Sequence, residues 1–425
     1  MRRLTAVLLW SAIAAAFVGP GTVTTCAAAG TRFGLGLLWA LAFSTVATFV
    51  LQEAAARLTV ASGLDLGRAL RRRSGTGATF LVGAAIVTGC AAYQAGNLLG
   101  AVAGLRLVAP VPPAPGALAV AAAAGALLWL GPARRVARAL ALTVAAMGVV
   151  FLATAAGLRP PASELVAGLL LPSLPPGSLL LVLALVGTTV VPYNLFLGSG
   201  LAAGERLPEV RLGLAVAVGL GGAISVAIVV AGSAVAGEFG FEALGQVLAA
   251  RLGRWARPAL ALGLFAAGLS SAVTAPLAAA ITVRSLAGRE GPEWADRGHR
   301  YRTVWGGVLA VGTAFAVVGV RPIPAIVAAQ ALNGVVLPLA AAVLLTAVND
   351  RRLMGAHANG PRANVALVPV VAVTFLLGGA AVVRAVMAAL SRTVPAPVAI
   401  TLATVAGTAA VLAARHLARR RGAGP

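Results

Sequence analysis

Apolar runs recur along the whole chain, separated by short polar or Arg-bearing breaks. Many are about 18 to 25 residues long, the length a helix needs to cross a hydrocarbon core roughly 30 Å thick. The pattern predicts twelve membrane spans, at approximately 4–29, 35–60, 78–105, 115–131, 138–157, 177–202, 209–235, 256–286, 302–320, 323–347, 364–388 and 396–415. The Pro-rich stretches Pro110–Pro115 and Pro160–Pro176 read as external loops. Residues 239–252 alternate apolar and polar side chains at helical spacing, which predicts a helix lying along the outer interface. The opening Met-Arg-Arg and its apolar run have the look of a signal peptide, yet no Ala-x-Ala site in good context closes a short core. The run continues through Gly-Pro-Gly, so it reads as a retained first span.

Two of the spans are broken. Gly19-Pro20-Gly21-Thr22 interrupts the first, and Thr188-Thr189-Val190-Val191-Pro192-Tyr193-Asn194 interrupts the sixth. A proline removes one helix hydrogen bond and clashes with the preceding turn, and flanking glycines let the backbone leave helical geometry. Freed backbone groups at membrane depth are tolerated only against protein or a water-filled cavity. The breaks at Gly19, Pro20, Gly21 and Pro192 lie five spans apart, in matching positions of two five-helix halves. Halves with an odd number of spans have opposite orientations, and paired discontinuous helices in inverted repeats mark a secondary transporter with a midplane site. The expected units are a first repeat at 1–157, a second at 158–347, and two further helices with a basic tail at 348–425.

Composition agrees and excludes other classes. Hydrophobic residues make up 60% of the chain and charged residues 10%, with a mean hydropathy of +0.96; soluble domains keep roughly a quarter of their residues charged. The net charge is +22 and all 33 basic residues are arginines. In a soluble chain that would suggest nucleic-acid binding. Here the arginines crowd into every second connection and both termini, the distribution of the positive-inside rule, so no nucleic-acid partner is expected. Both termini are then expected in the cytoplasm of a multi-pass protein of the plasma (inner) membrane. Cys26 and Cys90 both fall in apolar segments and imply neither disulfides nor a zinc motif. No catalytic constellation of His, Cys, Asp or Glu shares one depth, so an enzyme and a bound cofactor are not expected.

Five fragments in order resemble the Nramp family of proton-coupled divalent-metal transporters. They are Gly19-Pro20-Gly21-Thr22 with Gly30, Phe33-Gly34 and Leu37-Leu38-Trp39; Leu51-Gln52 with Ala55-Ala56-Arg57-Leu58; Val191-Pro192-Tyr193-Asn194-Leu195; Gly268-Leu269-Ser270-Ser271 with Thr274; and Asn349-Asp350-Arg351-Arg352-Leu353-Met354-Gly355. The resemblance implies an all-α integral membrane protein with the LeuT-type 5+5 inverted repeat. It also implies that the family's metal-binding Asp and Asn of the first span stand here as Gly19 and Thr22, and its sixth-span Met as Val191. The family's two sixth-span histidines correspond to Tyr193 and Gly198, its third-span acidic pair to Cys90 and Tyr93, and its tenth-span Gln to Gln330. No conventional metal-ligand set remains, which makes the chain a divergent member.

The residues alone say the same. Of eleven acidic residues only Glu53 lies inside an expected span, and His299, His357 and His416 all lie in connections or the tail. The expected substrate site comprises Gly19, Gly21, Thr22, Thr188, Val191, Tyr193, Asn194, Gln330 and Asn333, which offer hydroxyls, amides and carbonyls without charge. A bare divalent ion needs dense or anionic oxygen ligation, whereas magnesium dehydrates reluctantly and can pass with water attached. The leading expectation is transport of a hydrated hard cation such as magnesium in preference to manganese or iron. Free N–H groups at the broken helices also suit a carboxylate, so transport of a small organic solute such as an amino acid stands beside it. A transport-incompetent sensor or partner subunit is a third reading. Glu53 and Arg57, four apart on one helix face, are expected to gate the cytoplasmic side. The partners are the bilayer and a small ion or solute; oligomeric state is not legible.

Overall fold

A computed structural model describes residues 18–131, 134–288 and 291–389, with isolated positions 398, 401 and 404. The start of the first span, the twelfth span at 396–415 apart from those three positions, and the basic tail therefore lie outside the described residues. The described chain is helical throughout, with α1 Pro20–Phe33, α2 Leu38–Ser62, α3 Leu66–Arg106, α4 Pro113–Leu130, α5 Arg134–Leu158 and α6 Ala162–Leu170. Then follow α7 Leu179–Thr189, α8 Pro192–Leu201, α9 Leu207–Ser233, α10 Phe241–Leu252, α11 Ala256–Ala287, α12 His299–Val317, α13 Pro322–Val348, α14 Arg351–Met354 and α15 Pro361–Ala389. Nine segments among the described residues are long and apolar enough to cross a membrane, with α7 and α8 together forming one of them. Helix α12 is not among the nine; its first turn carries His299, Arg300 and Arg302.

Both breaks follow from proline chemistry. Pro20 and Pro192 each occupy the first turn of a helix, where a missing N–H has no partner to lose. The residue before each proline is pushed out of the helical region, and Gly19 (ψ 174) and Val191 (ψ 122) are extended. Helix α7 therefore stops at Thr189 and α8 starts afresh at Pro192.

Glycines then bring backbones together, as expected where lipid leaves packing as the main adhesive. A Cβ on Gly30 of α1 would fall 2.1 Å from the Val229 carbonyl of α9, and one on Gly232 of α9 would fall 2.4 Å from the Ala27 carbonyl of α1. Helices α7 and α13 make the same reciprocal approach, through Gly187 against the Gln330 carbonyl and Gly334 against the Leu183 carbonyl. The α7–α8 segment is 94% buried in its apolar window, against 28% for α4, so the broken helices sit at the centre and α4 at the lipid. Helix α3 packs along α11, α1 along α9 and α8 along α2, while α13 lies against α3 and α5 against α11.

Two expected loops are helical instead. Ala162–Leu170 forms α6 inside the stretch read as a Pro-rich loop; Pro161 sets its start, and the nine-residue helix fits in the proline-free stretch before Pro172. The Arg-rich connection after α2 is the first part of α3, up to a break at Gly75 with φ 73° and ψ −178°, a conformation only glycine adopts readily. Helix α10, at Phe241–Leu252, lies where the interfacial helix was expected.

Candidate functional site

The two helix breaks meet. Thr22, one turn into α1, and Thr188, in the last turn of α7, share a hydrogen bond of 3.0 Å between their hydroxyls, both 1% exposed. Gln330 of α13 lies directly on Gly21, where a Cβ would come within 2.0 Å of its amide nitrogen. Thus Thr22, Thr188, Gly21 and Gln330, far apart in sequence, surround one point. Thr188→Val should lower thermal stability by about 1 kcal/mol, the net worth of one buried hydrogen bond, read as a fall of a few degrees in melting temperature.

The other expected site residues spread from there. Gly19 caps α1 without a side chain, and Val191 caps α8; neither helix start has a side-chain cap. Tyr193 meets Tyr93 of α3 edge to face, with ring centroids 5.7 Å apart. The Asn194 backbone N–H donates to the Val191 carbonyl at 3.0 Å. Asn333, one turn beyond Gln330, turns to α3: a Cβ on Gly89 would be 3.1 Å from its Oδ1.

Four further buried polar residues were not among the expected site residues, although Tyr93 and Ser271 lie at positions that the family resemblance covers. Tyr93 and Ser271 each place a hydroxyl 3.4 Å from the position a Cβ would take on Gly19. Gln94 and Asn97 of α3 are buried, and their side-chain amides find no hydrogen-bond partner among the described residues. The available signal was a run of polar residues, Tyr93-Gln94 and Asn97, within an otherwise apolar span. No Asp, Glu or His lies at the breaks, and no group of three potential His, Cys, Asp or Glu ligands occurs among the described residues. Cys26 and Cys90 are buried free thiols.

At the Arg-rich end, Glu53 of α2 accepts from Arg57 at 3.2 Å and from Arg211 of α9 at 2.7 Å. Arg57 also donates to the His357 carbonyl at 3.0 Å and to Asn359 Oδ1 at 2.8 Å. Beside this cluster the Thr59 and Ser199 hydroxyls are 2.7 Å apart, and Ser199 Oγ accepts from the Leu66 N–H at 2.8 Å, joining α8 to α2 and α3. Arg73 pairs with Asp350, and Ser285 donates to Asp65. Arg211 was not foreseen, because a partner 158 residues away leaves no local pattern.

A multi-pass bundle with paired broken helices, buried hydroxyls and amides between them and an ion-pair cluster at one end is the architecture of a LeuT-type membrane transporter. Solved structures share this fold. The manganese transporter of Eremococcus coleocola, in complex with an aromatic bis-isothiourea substituted compound, superposes with a TM-score of 0.72 at 18% identity, covering 97% of this chain and 92% of its own. MhsT in complex with L-phenylalanine gives 0.62 at 16% identity, covering 87% of this chain and 98% of that one. The divalent metal cation transporter MntH of Verminephrobacter eiseniae is 29% identical over 82% of this chain and 82% of its own length. The MntH of Aeromonas hydrophila is 28% identical over 85% of this chain and 91% of its length. The family described as natural resistance-associated macrophage protein-like, Nramp, matches residues 11–384, and this chain belongs to it. Its members are transporters, not enzymes.

Proposed function

We propose that this protein carries a divalent metal ion across the membrane, and that the ion crosses with most of its water attached, magnesium in preference to manganese or iron. Relatives named as divalent metal cation transporters support the first part. The observation that carries the second is the neutral site: Thr22 bonds Thr188, Gln330 packs on Gly21, Tyr93 and Ser271 face Gly19, and Tyr193 packs on Tyr93, with no carboxylate, imidazole or thioether among them. Manganese and iron gain from softer ligands such as thioether and imidazole, whereas magnesium keeps several waters and asks only for oxygen contacts.

The unit boundaries near residues 157 and 347 belong to the same reading. Packing of α1 on α9 mirrors that of α8 on α2, and α13 on α3 mirrors α5 on α11, as two inverted five-helix units would require. The arginines of every second connection support cytoplasmic termini in the plasma membrane. A second reading, an organic carboxylate, is favoured by one observation: neither α1 nor α8 spends its first N–H groups on a side-chain cap.

The test is uptake by proteoliposomes holding the purified protein at fixed membrane potential. Magnesium flux poorly competed by manganese is expected. With no group at the breaks that titrates near neutrality, the rate should stay flat between about pH 5.5 and 8. A steep pH dependence would sink the neutral-site mechanism, and absence of magnesium and manganese flux in folded protein would shift the reading to an organic solute.

A further inference from the structure

Two hydroxyls not used above converge on the empty side-chain position of Gly19. Tyr93 comes from α3 and is 1% exposed; Ser271 comes from α11 and is 5% exposed. Each oxygen is 3.4 Å from where a Cβ on Gly19 would stand. On the other side of the break, Gln330 packs on Gly21, and its Oε1 has no hydrogen-bond partner among the described residues. Acceptor oxygens from α3 and α11 thus flank Gly19, and the Gln330 amide of α13, whose nitrogen lies nearest Gly21, keeps an unbonded acceptor oxygen.

A hydrated cation turns its water hydrogens outward, so its recognition needs acceptors and not ligands. Hydroxyl oxygens and an amide carbonyl accept, and unlike carboxylates they do not compete for the metal itself. We propose that Tyr93 and Ser271, with Gln330 Oε1, form an outer-sphere acceptor set that selects a divalent cation retaining its water shell. The assignment rests on the divalent-cation reading and makes Tyr93 and Ser271 specificity-determining residues. It also accounts for two polar side chains on α3 and α11 at a depth where a transporter without them would place apolar ones.

The test uses the full-length protein in proteoliposomes, with magnesium as substrate and cobalt(III) hexaammine as competitor. That ion holds its six ammines inertly, so it can occupy only a site that reads the outer shell. Tyr93→Phe keeps the ring against Tyr193 and removes only the hydroxyl; Ser271→Ala does the same on α11. Each is expected to raise the magnesium KM about fivefold, equivalent to ~1 kcal/mol, and to weaken cobalt(III) hexaammine inhibition in parallel, with turnover at saturation retained. A purely structural role would instead lower melting temperature and turnover while leaving KM and the inhibition constant in place, and that result overturns the assignment. Wild-type protein that moves magnesium but ignores cobalt(III) hexaammine also overturns it and leaves the transport reading standing. Wild-type protein that moves no divalent ion removes both.

Discussion

Replacing Gly19 with aspartate is expected to lower the manganese KM of the reconstituted protein by about tenfold or more, a gain of ~1.4 kcal/mol. The position can accept the change. Gly19 has φ −88° and ψ 174°, a conformation open to any residue, and a Cβ there would meet only ordinary contacts at 3.4 Å with the Tyr93 and Ser271 oxygens. It is the cap of α1 and, being glycine, makes no side-chain cap hydrogen bond, so the helix end would receive a carboxylate favourably. One carboxylate oxygen can cap the helix while the other faces the break. There it adds the anionic ligand whose absence, on our reading, keeps the site from binding a partly dehydrated ion. Uptake should then become pH-dependent, because protonation at lower pH removes the added charge. Magnesium should gain less than manganese, since its shell resists replacement. A folded Gly19→Asp protein whose manganese KM equals that of the parent would show that the ion does not pass this point.

The parts of the fold written in local pattern were legible in the sequence. Spans two and four to eleven stand within a few residues of their expected bounds, the third departs only at its start, and both breaks lie at Pro20 and Pro192, because span length and proline chemistry act through neighbours in the chain. The meeting of Thr22 and Thr188 could be anticipated through the repeat symmetry, which places matching breaks at matching depths, and the presence of Gln330 through the family resemblance. What the sequence hid depends on helices that meet only after folding. Ser271 reads as part of a resemblance fragment with no assigned contact, and its approach to Gly19 is set by the packing of α11 against α3 through Gly268. Helix α6 was hidden for another reason: prolines at both ends read as a loop, although Pro161 at a helix start is a helix signal. The kink at Gly75 has the same character, since many glycines in this chain sit within straight helices and only the backbone shows which one bends.

Substituting Glu53 with glutamine is expected to loosen the Arg-rich end of the protein. Glu53 is the single acidic group between Arg57 and Arg211, with its side chain 14% exposed and that of Arg57 11% exposed. Removing its charge leaves Arg57 nearly buried without a counter-ion. Breaking a fully buried pair costs 3–5 kcal/mol, and the half-exposed Arg211 brings the figure here to about 2 kcal/mol. Arg57 keeps its bonds to the His357 carbonyl and Asn359, so the loss falls on the α2–α9 contact that Arg211 completes. Behind that contact lies a small apolar cluster of Ala56, Ala202, Val210 and Leu214, with Ala202 fully buried. A cysteine placed at Ala202 therefore reports opening between the two helices, against a low background from the buried Cys26 and Cys90. In the Glu53→Gln background its labelling by a hydrophilic thiol reagent should accelerate on the order of tenfold or more, as a shift of about 2 kcal/mol between closed and open states demands. Arg211→Ala, which removes the same α2–α9 ion pair, should raise the rate to a similar extent. Equal labelling rates with and without Glu53 would mean that the packing of α2 on α9, and not the ion pairs, keeps this end shut.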